Sequence, residues 1–453
     1  MTMSTQKELP TVSRWKIIFS LRSFLRNPIP IIDRMIVEKG DSYITYPGGQ
    51  MKTIITRDPD FIQHVMQRNH SNYEKSEIQT DMLAKYIGKG LLTTNGAYWL
   101  RQRRVIQPGF HKKKLNALVS IMNKAILEYC DELEEQISKN PEVNIVDEMT
   151  KLTLHVVAKS LFSTGINKED TEYLGESITR LQHAIVKDIR LPFLGWWRSL
   201  NGYTKRSLEL AAETQKMLLE IIEKRKASES RPDDLLDMLL DVRYEDTGEP
   251  MTDQQVLEES LVLFVAGHET SANAMAWFHY LLAMNPEEKS KILQEIKSYE
   301  DLEMTIDSAM QLSQISKAVS ETMRIYPPAW ITDRVALDKD EYQGTKIEKG
   351  DVVAPYIFGA HHNPNTWDNP NEFKPERFEK SRAKEKHAYS YFPFGGGPRL
   401  CIGQQFALIE MQLIAYHLYK RFDFEVLPNQ KIEMQPLVTL RPRNGIKMNI
   451  EKR

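Results

Sequence analysis

Two cysteines, Cys130 and Cys401, are all the thiol chemistry that 453 residues carry. A disulfide scaffold is excluded, and a reducing compartment fits. Charge of one sign is lacking too: 60 Lys+Arg face 62 Asp+Glu, a formal charge of −2. Nucleic-acid binding would need a strong basic excess, and there is none. Long apolar runs are absent. The most apolar stretch, Leu261 to Gly267, is far short of the roughly 20 residues that span a bilayer. The first residues, Met1-Thr2-Met3-Ser4-Thr5-Gln6-Lys7-Glu8, hold no signal-peptide core. The segment Arg14 to Arg26 mixes Trp15, Ile17, Ile18, Phe19, Leu21, Phe24 and Leu25 with basic residues. It reads as amphipathic and packed on the fold, with skimming of a membrane surface as the alternative. The expectation is a cytoplasmic protein with no transmembrane segment and no nucleic-acid partner.

What is present is ordinary for a globular chain: 41% apolar and 27% charged residues. Short β-like runs at Tyr43 to Tyr46 and Thr53 to Thr56 predict a small peripheral sheet within about residues 1–65. Helical patterning dominates afterwards. Leu115, Leu118, Met122, Ile126, Tyr129 and Leu133 form one stripe, and Met217, Leu218, Ile221 and Ile222 another. Thr252 with Gln255 predicts a capping box opening a helix of about 30 residues, unbroken until Asn285-Pro286. After Met323 the chain reads as irregular, with prolines at 327, 328, 355, 364, 370 and 375, before a last helix from about Gly403. There is no internal repeat. The expectation is one mainly α domain with a small β portion: about 1–65 plus C-terminal hairpins β-rich, and about 66–425 helical.

Chemistry concentrates in Phe394-Gly395-Gly396-Gly397-Pro398-Arg399-Leu400-Cys401-Ile402-Gly403. A glycine-rich turn exposes backbone N–H groups just ahead of a helix, an environment that stabilises an anion. A cysteine there has a depressed pKa, and thiolate is the form that ligates metals. With one sulfur at hand, zinc and iron–sulfur sites built from several cysteines are excluded. A single thiolate suits the proximal position of a haem; the plain alternative is a buried structural cysteine.

On these residues the chain resembles the cytochrome P450 family, over nearly its whole length. The segment matches that family's haem-loop pattern, FxxGxRxCxG, at every fixed position. The resemblance implies the P450 fold and haem b as cofactor, with Cys401 as axial iron ligand. It also implies Arg399 on a haem propionate, Phe394 packed near the sulfur, and Gly403 as the last fixed position.

Further motifs extend the likeness. Ala266-Gly267-His268-Glu269-Thr270-Ser271 lies mid-way along the long helix, where Leu263, Ala266, Gly267, Thr270 and Ala274 share a face. Small residues leave room for a ligand, Thr270 offers a hydroxyl, and an adjacent acid can relay protons. This is similar to the family's oxygen-activation motif, which implies that Gly267 opens the helix, Glu269 feeds protons and Thr270 bonds to the bound oxygen. Glu321-Thr322-Met323-Arg324, with Pro375-Glu376-Arg377-Phe378, resembles the structural ExxR and PERF pair; taken alone, ExxR would be a surface ion pair worth little. Trp99 and Arg103, four apart, share a helix face and suit a propionate, as in the family's WxxxR helix. Gln102 stands where many relatives have histidine, which puts a further propionate contact in doubt. Arg334 sits where relatives place another propionate-binding arginine, with solvated surface as the alternative.

The resemblance implies a haem-thiolate monooxygenase that inserts one atom of O2 into a C–H bond of a small organic substrate. The outcome is aliphatic hydroxylation, or O-demethylation where the carbon bears an ether oxygen. Electrons come from a separate ferredoxin or flavodoxin with its NAD(P)H reductase, steered to a basic cluster of Arg101, Arg104, Lys112, Lys113 and Lys114. A monomer is expected. An H2O2-driven peroxygenase or a non-catalytic haem sensor are the alternatives, and NADH consumption through ferredoxin separates them. For substrate, Trp330, Phe193, Trp196 and Trp197 offer aromatic surface. The polar run Asn72-Tyr73-Glu74-Lys75-Ser76 could serve a hydrophilic substrate such as a methylated sugar, though a lipid is weighed slightly above it.

Overall fold

The computed structural model describes residues 8–13, 23–47, 51–163, 166–229, 231–300, 302–379, 381 and 385–453. The signal-peptide reading of residues 1–7 and most of the Arg14–Arg26 segment lie outside them. The chain forms two compact units, each assembled from separated stretches.

The first unit comprises Met1–Ser76, Glu321–Cys401 and Met434–Arg441. Its centre is a five-stranded sheet in the order Ser42–Thr45, Thr53–Thr56, Val352–Pro355, Arg334–Ala336, Tyr73–Glu74. Thr53–Thr56 and Val352–Pro355 run parallel and are buried throughout; the other pairs are antiparallel. A two-stranded hairpin, Asp340–Tyr342 with Thr345–Ile347, stands beside it. The helix Ile29–Lys39 turns Ile29, Ile32, Met35 and Ile36 onto Tyr43, Ile55, Ala354, Tyr356 and Phe358. Prolines made the 323–375 stretch read as irregular, yet it supplies four strands. Segments of three or four residues offer too few positions for alternation to show.

The second unit comprises Glu77–Ser320, Ile402–Glu433 and Pro442–Arg453. It is helical, with Lys112–Lys139, Ile145–Phe162, Lys168–Arg190, Tyr203–Ala227, Asp253–Met284 and Gln404–Arg421 as its main rods. Strands Glu142–Asn144, Lys447–Lys452 and Phe422–Val426 form a small sheet. Asp253–Met284 is 32 residues long and opens on the expected capping box: Gln255 N–H donates to Thr252 Oγ1 at 3.2 Å, and Thr252 N–H to Gln255 Oε1 at 2.9 Å. It buries residues on all sides from Ser271 to His279, as a helix through a core must. Among the described residues no helix is long and apolar enough to cross a membrane.

Candidate functional site

In the first unit the Phe394–Cys401 segment closes on itself. Cys401 N–H donates to Phe394 O at 3.0 Å, and Leu400 N–H to Gly397 O at 3.1 Å. Gly397 has φ +64°, and a Cβ there would lie 1.9 Å from the backbone oxygen of Met66. Glycine is therefore required by both torsion and space. The turn leaves the Cys401 side chain exposed, while the other thiol, Cys130, is buried and pushed up to about 12 by desolvation. Of the two, Cys401 alone is open to a ligand.

The loop is tethered to a buried ionic network. Glu321 and Arg324 form a two-pronged pair, Nε to Oε2 at 2.7 Å and Nη2 to Oε1 at 2.8 Å, with both side chains wholly buried. Arg377 Nε adds a contact to Oε1 at 3.2 Å and Lys374 N–H another at 3.0 Å. Burial raises the Glu321 carboxyl against the pull of the two guanidiniums. Arg324 Nη1 donates to the His361 carbonyl at 2.9 Å, and the His361 ring accepts from Phe392 N–H through Nε2, also at 2.9 Å. Burial drives the His361 pKa well below its ordinary value, so the ring is neutral and can accept. His361 thus links the network to the start of the glycine loop. Sequence reading missed it, because a lone histidine outside any motif carries no spacing signal.

Arg334 lies close enough to Arg399 for its charge to be felt there. Burial first, then the positive charge of Arg334, lowers Arg399 to about 10, with Glu74 opposing. Burial also lowers Arg334, whose Nη1 donates to the Asp333 carbonyl at 2.6 Å. A buried guanidinium, Arg334, and a half-buried one, Arg399, within electrostatic reach of each other suit a carboxylate.

In the second unit, Ala266 is exposed and Leu263, Gly267 and Thr270 are half-buried, while Val262, Phe264, His268 and Ser271 are buried. Thr270 Oγ1 donates to Ala266 O at 2.9 Å, and Glu269 Oε2 accepts from Gln182 Nε2 at 2.7 Å. Gly267 differs from its expected part on the ligand face: a Cβ there would meet Val157 at 3.1 Å. Its smallness serves close packing on the Ile145–Phe162 helix. Ala274 is buried.

Trp99 is buried and Arg103 half-buried on the Gly96–Ile106 helix, with Arg103 Nε on Gln107 Oε1 at 3.1 Å. Gln102 is fully engaged elsewhere: Tyr244 OH donates to its Oε1 at 2.6 Å, and its Nε2 donates to Tyr98 OH at 3.1 Å. Gly403 precedes the Gln404–Arg421 helix at φ −87°, and the nearest atom to a Cβ there would be Phe110 at 4.0 Å. Three cations of the expected docking cluster are paired: Arg101 with Asp246 at 3.1 Å, Lys112 with Asp307 at 2.6 Å, and Lys114 with Asp233 at 2.8 Å. Arg104 and Lys113 remain as exposed charges.

Two substrate expectations change. Asn72 bonds both ways with the Asp338 backbone, at 3.1 and 2.9 Å, and Tyr73 OH donates to Asp340 at 2.6 Å. These two residues tie strands together and are not spare polar surface. Phe193, Trp196 and Trp197 lie on the molecular surface.

Ser271 Oγ donates to Glu410 Oε2 at 2.6 Å, and burial pushes Glu410 from 4.5 up to about 8. A carboxyl raised in the folded state binds its proton more tightly there, so stability falls as pH rises from about 4.5 to 8. Relative to Glu410→Gln, the wild type is expected to lose about 1.4 kcal/mol per pH unit across that window at most. Denaturation at pH 5 through 8 checks this, and parallel profiles would contradict it.

The family model for Cytochrome P450 matches residues 11–450. A taurochenodeoxycholic 6 alpha-hydroxylase of Sus scrofa is 29% identical over 427 residues, 89% of this chain and 83% of the relative. A cytokinin hydroxylase of Arabidopsis thaliana is 28% identical over 420 residues, 90% and 80% of the two chains. In fold, the chain superposes on the crystal structure of the cytochrome P450DA heme domain with a TM-score of 0.87 at 22% identity, covering 99% of this chain and 98% of that one. The chain therefore belongs to the cytochrome P450 family of monooxygenases, whose cofactor is haem b with a cysteine thiolate on the iron.

Proposed function

We propose that this P450 hydroxylates an aliphatic C–H bond of an apolar substrate, with Cys401 as the thiolate ligand. The observation that carries the reading is the glycine-forced turn that holds Cys401 outward, in the same unit as the buried Arg334 and the half-buried Arg399, which feels its charge. That set fits haem: the thiolate takes the iron, and the Arg334–Arg399 pair takes a propionate carboxylate. Trp99 and Arg103 serve a propionate as well, Phe394 packs by the sulfur, and Gly403 starts the following helix. Glu321, Arg324 and Arg377 hold the loop's foundation and take no part in chemistry.

The haem, when bound, supplies the activation of O2. The balance is R–H + O2 + 2 e⁻ + 2 H⁺ giving R–OH + H2O. The protons are this chain's task. Glu269, steadied by Gln182, passes a proton toward the Thr270 hydroxyl, which delivers it to the oxygen side of the site. Apolar Leu263 and Ala266 on the same helix keep that side dry, with Gly267 setting the helix close to its neighbour. Electrons come from a separate ferredoxin or flavodoxin with an NAD(P)H reductase. Arg104 and Lys113 are the charges still open to an acidic partner. The protein works as a cytoplasmic monomer.

Hydroxylation is favoured over O-demethylation because Asn72 and Tyr73 are spent on structure and two relatives are named as hydroxylases. The test is a Soret titration of the haem-loaded protein. A shift toward high spin is expected with a long-chain fatty acid. A shift with a methyl-ether sugar alone, followed by formaldehyde release, would replace the reading with O-demethylation.

A further inference from the structure

The glycine loop rests on an uncommon turn. His64–Arg68 is π-helical, closed by Asn69 N–H on His64 O at 2.8 Å, five residues apart. Such turns are rare and concentrate at functional sites. Met66, at the midpoint, meets the loop twice. Its carbonyl oxygen is the atom that a Gly397 Cβ would strike at 1.9 Å, and its Cε lies 3.8 Å from where a Gly395 Cβ would be. Its side chain also packs with Tyr389 and Phe392, which lead into the loop.

One carboxylate oxygen holds both ends of that turn. Asp340 Oδ2 pairs with His64 Nε2 at 2.7 Å and accepts from Asn69 Nδ2 at 3.0 Å; Tyr73 OH donates to the same oxygen at 2.6 Å. Oδ1 takes the Glu341 N–H at 2.8 Å. Burial would raise the Asp340 carboxyl, but these donors outweigh it and hold the group below its ordinary value. Aromatic rings add to the grip. Tyr342, on the same hairpin as Asp340, stacks on Phe61 with centroids 4.3 Å apart and tilts against the His64 ring at 5.1 Å. The His64 and Asp340 side chains are only 19 and 11% exposed. His64 and Asn69 belong to no strand, so their bonds to Asp340 serve the turn and not the sheet.

We propose that Asp340, through His64 and Asn69, is a positioning residue for the Cys401 thiolate. The clasp fixes the turn, the Met66 carbonyl fixes Gly397, and four residues further on the sulfur keeps its direction. On the reading of Cys401 as the iron ligand, on which this role rests, contacts outside the ligand tune the potential of the iron. A loosened thiolate donates less negative charge, which disfavours the ferric state, and the midpoint potential rises.

Two measurements on the full-length haem-loaded protein, well below its denaturation midpoint, test this. One is the share of the thiolate band in the reduced carbon monoxide complex, and the other is the ferric–ferrous potential. Asp340→Ala and His64→Leu are each expected to halve the thiolate band or worse. They should raise the potential by about 28 mV, a threefold change in the reduction equilibrium at 59 mV per tenfold. His64→Gln, whose amide can still donate to Asp340, should bring both back toward wild type. Tyr73→Phe removes one donor but leaves both ends of the turn held. It should lower the denaturation midpoint and leave band and potential unchanged.

An unshifted band and potential in Asp340→Ala and His64→Leu, beside a wild type that shows the thiolate band, would overturn this proposal alone. So would equal changes in Tyr73→Phe, which would reduce the clasp to a structural brace. A wild type without the thiolate band would overturn the ligand reading and this one together. If Asp340→Ala fails to fold, the comparison of His64→Leu with His64→Gln decides.

Discussion

Glu321→Ala is expected to cost about 3–5 kcal/mol of stability, because it leaves two guanidiniums buried without their carboxylate. Arg324 and Arg377 sit beside that carboxylate with little access to water. The damage travels along covalent and hydrogen-bonded links already described. Arg324 loses its orienting partner, and the His361 carbonyl it holds is freed. The Phe392 amide that rests on the His361 ring then shifts, and the glycine loop begins two residues later. The expected result is a lower denaturation midpoint and a reduced fraction of haem-loaded protein. His361→Gln, whose side-chain amide oxygen can still accept from Phe392, should retain much of the haem that His361→Leu loses. Equal haem content in Glu321→Ala and wild type would contradict this account.

Gly397→Ala is the second large effect, and it acts on the loop alone. The added methyl would lie 1.9 Å from Met66 O, a backbone atom that cannot rotate away, at a φ of +64° that already disfavours a side chain. The loop must move, and the position of Cys401 moves with it. Neighbouring glycines give a graded comparison. Gly396→Ala meets the Tyr389 ring at 2.6 Å, a side chain with some room to yield. Gly395→Ala has only Met66 Cε at 3.8 Å, so backbone strain of about 1–2 kcal/mol is its whole cost. Gly403→Ala should be nearly silent, since its φ is ordinary and its surroundings open. The check is the thiolate signature in the Soret spectrum across the series. The expected order of loss is 397, then 396, then 395, with 403 unaffected; a silent Gly397→Ala would contradict it.

Local rules made part of this legible. The capping box at Thr252 and Gln255 fixed the start of the long helix, and Asn285-Pro286 its end, because both signals act through bonds within four residues. The apolar stripe from Leu115 to Leu133 is buried as its period requires. Motif residues were found by spacing, but their surroundings were not. Gly267 looked like room for a ligand because helical spacing alone cannot tell which neighbour a face meets; Val157 is over a hundred residues away in sequence. The partners of Asn72 and Tyr73, and the Tyr244 hydroxyl on Gln102, are equally remote, and so is the pairing of the basic cluster with Asp233, Asp246 and Asp307. His361 was invisible because its role depends on burial and on two backbone contacts, neither of which leaves a pattern in the sequence.

The central claim is that the Cys401 sulfur is the iron ligand, and the presence of only two cysteines makes it directly testable. The measurement is the Soret band of the reduced carbon monoxide complex in wild type, Cys130→Ala and Cys401→Ala. The account predicts the red-shifted thiolate band in the first two and its loss in the third. The same band in Cys401→Ala, or its loss in Cys130→Ala with the fold intact, would contradict it.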